Sequence, residues 1–263
     1  MAEAETYTHG HHESVLAAHR WRTIANSAHY LEPHLRAGRS LLDVGCGPGT
    51  ITAEFAERLA PGRVVGVDAA PDALAAAAEL ETSAEFLLGD AYSLPFDDAT
   101  FDVVHTHQTL QHVRDPVAML REMARVARGG GLVAAREVDY SATTWFPPLP
   151  ELELWLDVVR RVHRANGGEP DAGRHLTSWA LDAGLSAPQF TASAWAFTTA
   201  PEREWWGGAW AERALHSRFA TDAVEGGHAT VDELQAISEA WRVWAADERG
   251  YFTMTHTELI AAV

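Results

Sequence analysis

The sequence predicts an α/β protein built on a doubly wound, mostly parallel sheet. Three observations carry that prediction. Between residues 38 and 138, short apolar runs alternate with amphipathic stretches five times, the pattern of strands joined by crossover helices. "LLDVGCGPGT", residues 41–50, sets glycines at 45, 47 and 49 directly after the first apolar run. That strand-to-helix junction is where such sheets bring their backbone close to a ligand. Finally, acids close the second and third runs, Asp68 and Asp90, so three neighbouring strand ends face one crevice.

The elements follow in order. Residues 12–32 carry a helical stripe of Trp21, Ile24, Ala25, Ala28 and Leu31, which predicts an N-terminal helical cover within residues 1–36. "SLLDVG" reads as the first strand and "TITAEFAERLA" as a helix stopped by Pro61-Gly62. "RVVGVD" is the second strand; "PDALAAAAELE" is a helix with Pro71 in its first turn. "AEFLLGD" and "FDVVHTH" are the third and fourth strands. Asp115-Pro116 opens the helix "VAMLREMARVA", which ends at Gly129-Gly130-Gly131 before the fifth strand, "GLVAAREVD". Beyond residue 139 the pattern turns helical, with "QFTASAWAFTT" and "YFTMT" as sixth and seventh strands. Helical stretches at 202–219 and 231–248 then form an insertion, about residues 201–248, before the last strand. No repeat or low-complexity linker divides the chain, so 1–263 reads as a single domain with a cofactor-type core at 38–138 and substrate-side segments at 139–263.

Composition narrows the function. A net charge of −17 argues against nucleic acid, whose phosphates need clustered cations. No apolar run approaches the roughly eighteen residues of a membrane span. The first residues lack the basic and apolar regions of a secretory signal. One cysteine, Cys46, excludes an internal disulfide framework and predicts a reducing, cytoplasmic setting. All 20 basic residues are arginine. Without lysine there is no Schiff base, no pyridoxal attachment and no phosphate-loop lysine.

The glycine spacing is G-x-G-x-G, and Thr50 stands where a dinucleotide fingerprint wants its third glycine, which counts mildly against NAD. Asp68, about 20 residues on, can accept a ribose diol and does not discriminate between nucleosides. Asp90 does discriminate: a carboxylate there can accept from an adenine amino group, with the Ala91 N–H turned to the ring.

Taken with "VVGVDAAPDAL", "GDAYSLPFDDATFDVVHTHQTLQHVRDP" and "LREMARVARGGGLV", these residues resemble the S-adenosylmethionine-dependent methyltransferases of the Rossmann-like, seven-stranded fold, in the branch of the ubiquinone and menaquinone enzymes. The resemblance implies that Gly45, Cys46, Gly47 and Gly49 underlie the methionine and ribose of S-adenosylmethionine. It implies further that Asp68 and Ala69 take the ribose, that Asp90 and Ala91 take the adenine, and that His107 and Gln108 stand near the methionine end. Cys46 is expected as packing. Tyr7 is expected to touch the cofactor from the N-terminal cover, and Arg22 is a candidate for its carboxylate. His112 reads as structural.

The outer segments "YTHGHHESVLAAHRWRT", "REVDYSATTWFPPLPELELW" and "PEREWWGGAWAERALHS" are similar to microbial methyltransferases that S-methylate dithiol natural products, the gliotoxin-type and dithiolopyrrolone enzymes. That resemblance implies a small-molecule acceptor, a thiol first, in secondary metabolism or detoxification. A phenol, quinone ring or amine stays open as acceptor, as does a non-catalytic cofactor sensor. Tyr140 and Trp145, beside the fifth strand, and Trp206 and Trp210, in the insertion, are the candidate substrate contacts; Trp205, Trp241 and Trp244 share the insertion's helices. His107 is the favoured catalytic base with Gln108 beside it, and Glu137 and Asp139 are alternatives. His9, His11 and His12 lack a carboxylate or cysteine completing a zinc pattern, so no metal is expected.

Overall fold

The computed structural model describes residues 21–263. Tyr7, His9, His11 and His12 lie outside the described residues. Eight strands form one sheet: β1 (Leu41–Val44), β2 (Val64–Asp68), β3 (Glu85–Leu88), β4 (Phe101–His107), β5 (Ala127–Val138), β6 (Thr144–Phe146), β7 (Ser186–Phe197) and β8 (Tyr251–Ala262). The order is β3-β2-β1-β4-β5-β8-β6, with β7 on the other side of β8. Strands β1 to β5 pair in parallel, and β8 runs antiparallel to β5, β6 and β7.

The expected seven strands are therefore eight strands in seven rows. β8 pairs through His256–Ala262 with β5 and through Tyr251–Thr253 with β6, so three-residue β6 continues the β5 row past its end. The sequence reading missed β6, too short to show a period, and stopped β8 at Thr255. The rest of β8, "HTELIAA", pairs on both sides and is largely buried, so it lacks a clean polar-out alternation.

Helices α1 (Thr50–Leu59), α2 (Pro71–Ala77), α3 (Pro116–Val126), α4 (Pro150–Ala165) and α5 (Leu176–Asp182) connect the strands, and α6 (Ala200–His216), α7 (Arg218–Glu225) and α8 (Val231–Ala246) stand between β7 and β8. The stretch read as one helix over 202–219 breaks at Ser217, which takes extended backbone (ψ 171°) while its hydroxyl donates to the Arg213 carbonyl at 2.7 Å.

The N-terminal cover also departs from one continuous helix. Thr23 is extended and caps a fresh π-type turn, Ile24–Ala28, followed by a 3-10 turn, His29–His34. The Asn26 side chain accepts the Thr23 N–H at 2.8 Å and donates to the Trp21 carbonyl at 2.9 Å, so the capping bonds replace those an uninterrupted helix would need. Ile24, Ala28, Leu31 and Leu35 bury against Phe55 and Ile51 of α1.

The sheet carries helices on both faces. Leu42, Val44, Val104 and Val133 pack towards α3 and α5. On the opposite face, under the cover, side chains change character along each strand. Val103 gives way to His105 and His107 on β4; Ala134 gives way to Arg136 on β5; Ile260 gives way to Glu258 and His256 on antiparallel β8. All five polar residues are buried. The apolar core thus turns polar towards the C-terminal edge of the parallel strands, where open α/β sheets bind ligands.

Candidate active site

Three glycines shape the first wall. Gly45, Gly47 and Gly49 have φ of 75°, 56° and 77°, a region that side chains with a Cβ avoid. A Cβ on Gly45 would overlap the Thr109 side chain, which ties the glycine turn to the segment after β4. The Gly45 N–H donates to the Val67 carbonyl at 2.8 Å, holding the turn against the end of β2.

Asp68 is the second wall. Its carboxylate accepts the Gly47 N–H at 2.8 Å and the Ala70 N–H at 2.9 Å. A carboxylate offers about four lone-pair sites, so both oxygens keep capacity for a ribose diol. Ala69 beside it is exposed, leaving a flat surface. The chain then passes through Gly89, whose N–H donates to the Asp68 carbonyl at 3.0 Å, to Asp90. Asp90 is exposed; one oxygen accepts the Tyr92 N–H at 2.9 Å, fixing the turn that presents half-buried Ala91. The glycine turn, Asp68 and Asp90 therefore stand at three adjacent strand ends. Cys46 is half-buried, and burial pushes its thiol well above the ordinary range, so it rests as a protonated thiol. A Cβ on Gly66 would press its sulfur, consistent with packing.

Beyond β4 the backbone is held by one carboxylate. Glu137 Oε1 accepts the N–H groups of Thr109 and Leu110, each at 2.8 Å. Burial pushes Glu137 up to about 8 despite these bonds. Gln108 takes a left-handed backbone, φ 52°, with its N–H on the Arg136 carbonyl at 2.8 Å. Arg22 donates to Gln108 Oε1 at 2.7 Å, which orients the amide so that Nε2 donates to His256 Nε2 at 2.6 Å. His256 Nδ1 in turn faces the Met254 carbonyl at 3.0 Å, which requires a proton there and leaves Nε2 as the acceptor.

His107 points beneath this chain. Its ring is 6.4 Å from His256 and 5.9 Å from Trp195, and both ring nitrogens are buried without a partner. Burial first, then the positive charges of Arg22 and Arg136, hold the imidazole well below its ordinary value, so it is neutral. Of the alternative bases, Asp139 is clamped by Arg174 through two bonds of 2.7 Å, and Glu137 holds the turn with Oε1 while Oε2 is buried without a partner among the described residues. His112 stacks on His163 at 5.2 Å under α4, away from Gln108's chain.

The candidate substrate residues fall into an aromatic core. Trp210 is 1% exposed, between Trp155 at 4.8 Å and Trp241 at 6.1 Å. Trp206 stacks on Phe197 at 4.3 Å, and its buried indole N–H has no partner. Tyr140 packs on Trp155 and His163, and half-buried Trp145 packs on Trp155 and Phe252. Trp241 and Trp244 complete the core, while half-buried Trp205 meets Trp21 of the cover at 5.3 Å. The sequence reading missed Trp195, which joins this core to the polar edge: it lies 4.3 Å from His256, 5.1 Å from the Arg136 guanidinium and 5.7 Å from that of Arg22. The missed signal was the alternation of "TASAW", "AREV" and "HTEL", which puts Ser193, Arg136, His256 and Glu258 on one face.

Residues 42–135 match the family model described as a methyltransferase domain. Over 267 aligned residues the chain is 35% identical to an uncharacterized methyltransferase, C1B3.06c, of Schizosaccharomyces pombe, covering 97% of this chain and 95% of the relative. The chain belongs to the class I S-adenosylmethionine-dependent methyltransferases. A second methyltransferase, the demethylmenaquinone methyltransferase of Roseiflexus castenholzii, is 40% identical over 144 residues, 53% of this chain and 58% of that protein. The fold matches the crystal structure of YcgJ from Bacillus subtilis with a TM-score of 0.56 at 18% identity, over 89% of this chain and 98% of that one. The glycine turn leaves its backbone open, and the carboxylates of Asp68 and Asp90 at the next two strand ends offer acceptors of the kind a nucleoside's hydroxyl and amino groups can use; no helix among the described residues is long and apolar enough to cross a membrane.

Proposed function

We propose that this methyltransferase methylates the thiol of a small-molecule acceptor, a reduced dithiol first among them. One observation carries the reading: among the described residues, the C-terminal edge of β4 and β5 offers no ready base. The basicity of His107 is depressed by burial and two guanidinium charges, Asp139 is clamped by Arg174, and Glu137, pushed up to about 8, keeps its proton at neutral pH. An acceptor there has to bring its own nucleophilicity, and a thiol, with a pKa of about 8.5, ionises with little help.

Bound S-adenosylmethionine supplies a methyl group already activated for in-line displacement. Gly45, Gly47 and Gly49 would admit it, with Cys46 packed beneath the turn. Asp68 and Ala69 would hold its ribose, Asp90 and Ala91 its adenine, Arg22 its carboxylate, and Tyr7 would close over it. His107 and Gln108 would line the reacting end and exclude water. Trp145 and Trp206 would form the aromatic wall of the acceptor site, with Trp206 bringing an unpaired N–H, while Tyr140 and Trp210, enclosed in the core, would back it. No step of this chemistry calls for a metal.

The test is turnover. With methyl-labelled S-adenosylmethionine, a panel of thiols containing reduced gliotoxin, a reduced dithiolopyrrolone and benzenemethanethiol yields labelled thioethers. Transfer to phenols, quinols or amines, with none to any thiol, overturns the thiol assignment. The relative named a demethylmenaquinone methyltransferase favours a quinone ring as the second acceptor to try.

A further inference from the structure

Four buried polar side chains on the cover side of the sheet carry atoms that lack partners among the described residues: both ring nitrogens of His107, Nε2 of His105, Nη1 of Arg136 and the Tyr30 hydroxyl. Buried polar atoms are almost always paired, and a cluster of orphans marks a place where something else binds. These are near one another. His105 and His107 alternate onto one face of β4, and His107 is the register partner of Arg136 on β5. The Tyr30 ring, on the cover, lies 6.5 Å from that of His105. Trp195 closes the side, 5.9 Å from His107 and 5.1 Å from Arg136.

Arg136 is the unusual member. It is 1% exposed, and its carboxylate partner, Glu258, stands at 3.4 Å. Glu258 is already committed elsewhere, accepting the Thr191 hydroxyl at 2.6 Å and the Ser193 hydroxyl at 2.5 Å. The other two guanidinium nitrogens reach Ser193 Oγ at 3.4 and 3.2 Å, which leaves Nη1 with its hydrogens undirected. A buried, under-paired cation beside a spare phenol hydroxyl is a receptor for an anion.

We infer that Arg136, Tyr30 and His107 form a subsite that binds the acceptor's sulfur as a thiolate. The inference rests on the thiol reading above and adds how the acceptor becomes reactive. On binding, the S–H proton leaves to solvent and the sulfur keeps its electron pair. That pair forms the new S–CH3 bond as the carbon–sulfonium bond of the donor breaks, leaving S-adenosylhomocysteine and a neutral thioether. The product has lost the charge that Arg136 held, which favours its release. His107 serves as a neutral donor here, not a base. Facing the subsite are Arg22 from the cover, His105 on β4, His256 and Glu258 on β8, and Asp43 on β1, whose carboxylate is bonded to His105 Nδ1 at 2.8 Å; Glu137, on the other face of β5, acts on Tyr30 through its charge alone.

The test measures proton release. The full-length protein saturated with S-adenosylhomocysteine is titrated with benzenemethanethiol at neutral pH in two buffers of different ionisation enthalpy. Calorimetry should find about one proton released per thiol bound, because a favourable cation lowers the thiol pKa. Tyr30→Phe should weaken thiol binding about tenfold and Arg136→Met more, with proton release reduced, while S-adenosylhomocysteine binds both variants as it binds the parent. If Arg136→Met does not fold, Tyr30→Phe and the parent's proton count decide. Thiols that bind and are methylated without proton release, or a Tyr30→Phe variant with undiminished thiol affinity, overturn the subsite and leave thiol methylation standing. A panel in which no thiol binds or is methylated removes both.

Discussion

The Gln108 side chain joins the N-terminal cover to the last strand, receiving Arg22 at 2.7 Å on its oxygen and giving its amide to His256 at 2.6 Å. It does so from a left-handed backbone that a non-glycine residue adopts at a cost. Gln108→Gly removes both the strain and the two bonds; Gln108→Ala removes only the bonds. In denaturant unfolding the alanine variant should be the less stable of the two by about 1 kcal/mol. His256→Phe should cost about 1–3 kcal/mol, since it leaves the Gln108 amide buried without an acceptor.

Asp68 has two structural bonds to keep besides any ribose. Asp68→Ala frees the N–H groups of Gly47 and Ala70 and loosens the glycine turn. Affinity for S-adenosylhomocysteine, read by calorimetry, should fall about tenfold or more, in line with one or two lost charge-assisted bonds. Asp90→Ala should weaken binding as well. A variant at either position that binds the nucleoside as tightly as the parent would remove that residue from the cofactor assignment.

Glu137 makes stability depend on pH. Its folded value, about 8, lies above the unfolded carboxylate value of about 4.3. Between these values the folded state holds a proton that the unfolded state has lost, so this group's contribution favours folding at low pH and is lost as pH rises towards about 8. Glu137→Gln keeps a carbonyl oxygen for Thr109 and Leu110 and removes the titration. Relative to the parent, the variant should gain about 1–2 kcal/mol of stability between pH 6 and pH 7.5. Parallel stability curves for the two proteins across that range would contradict the assignment.

Trp210 and Trp206 separate core from acceptor wall. Trp210→Ala empties a fully enclosed site and should cost about 3–5 kcal/mol of stability. Trp206→Phe keeps most of the ring contact with Phe197 and loses the unpaired N–H. Its melting temperature should stay near the parent's while KM for the acceptor rises. Equal KM values for parent and Trp206→Phe would leave the tryptophan as packing alone.

How much of this was legible beforehand depends on whether the signal was local. Gly45, Asp68 and Asp90 could be placed from sequence because each ends a strand whose apolar run is contiguous. Parallel neighbours then bring successive strand ends to one edge. The insertion could be bounded because α6 and α8 have strong capping boxes at Thr199 and Thr230. The cover could not be resolved so well: Thr23 and Asn26 divert hydrogen bonds from the helix through side chains, which a hydrophobic period does not register.

The sequence by itself determined the parallel core of the sheet and the meeting of its first three strand ends, because these depend on periods and spacings along the chain, and its motifs carried the resemblance to a methyltransferase family. Only the tertiary structure decided what lies beneath them. Tyr30, His107, Arg136, Trp195 and Glu258 come from five separate segments, and all but His107 read alone as ordinary residues. Their meaning comes from burial together on one face, where water is excluded and an unmatched guanidinium or imidazole has to find its partner in a ligand.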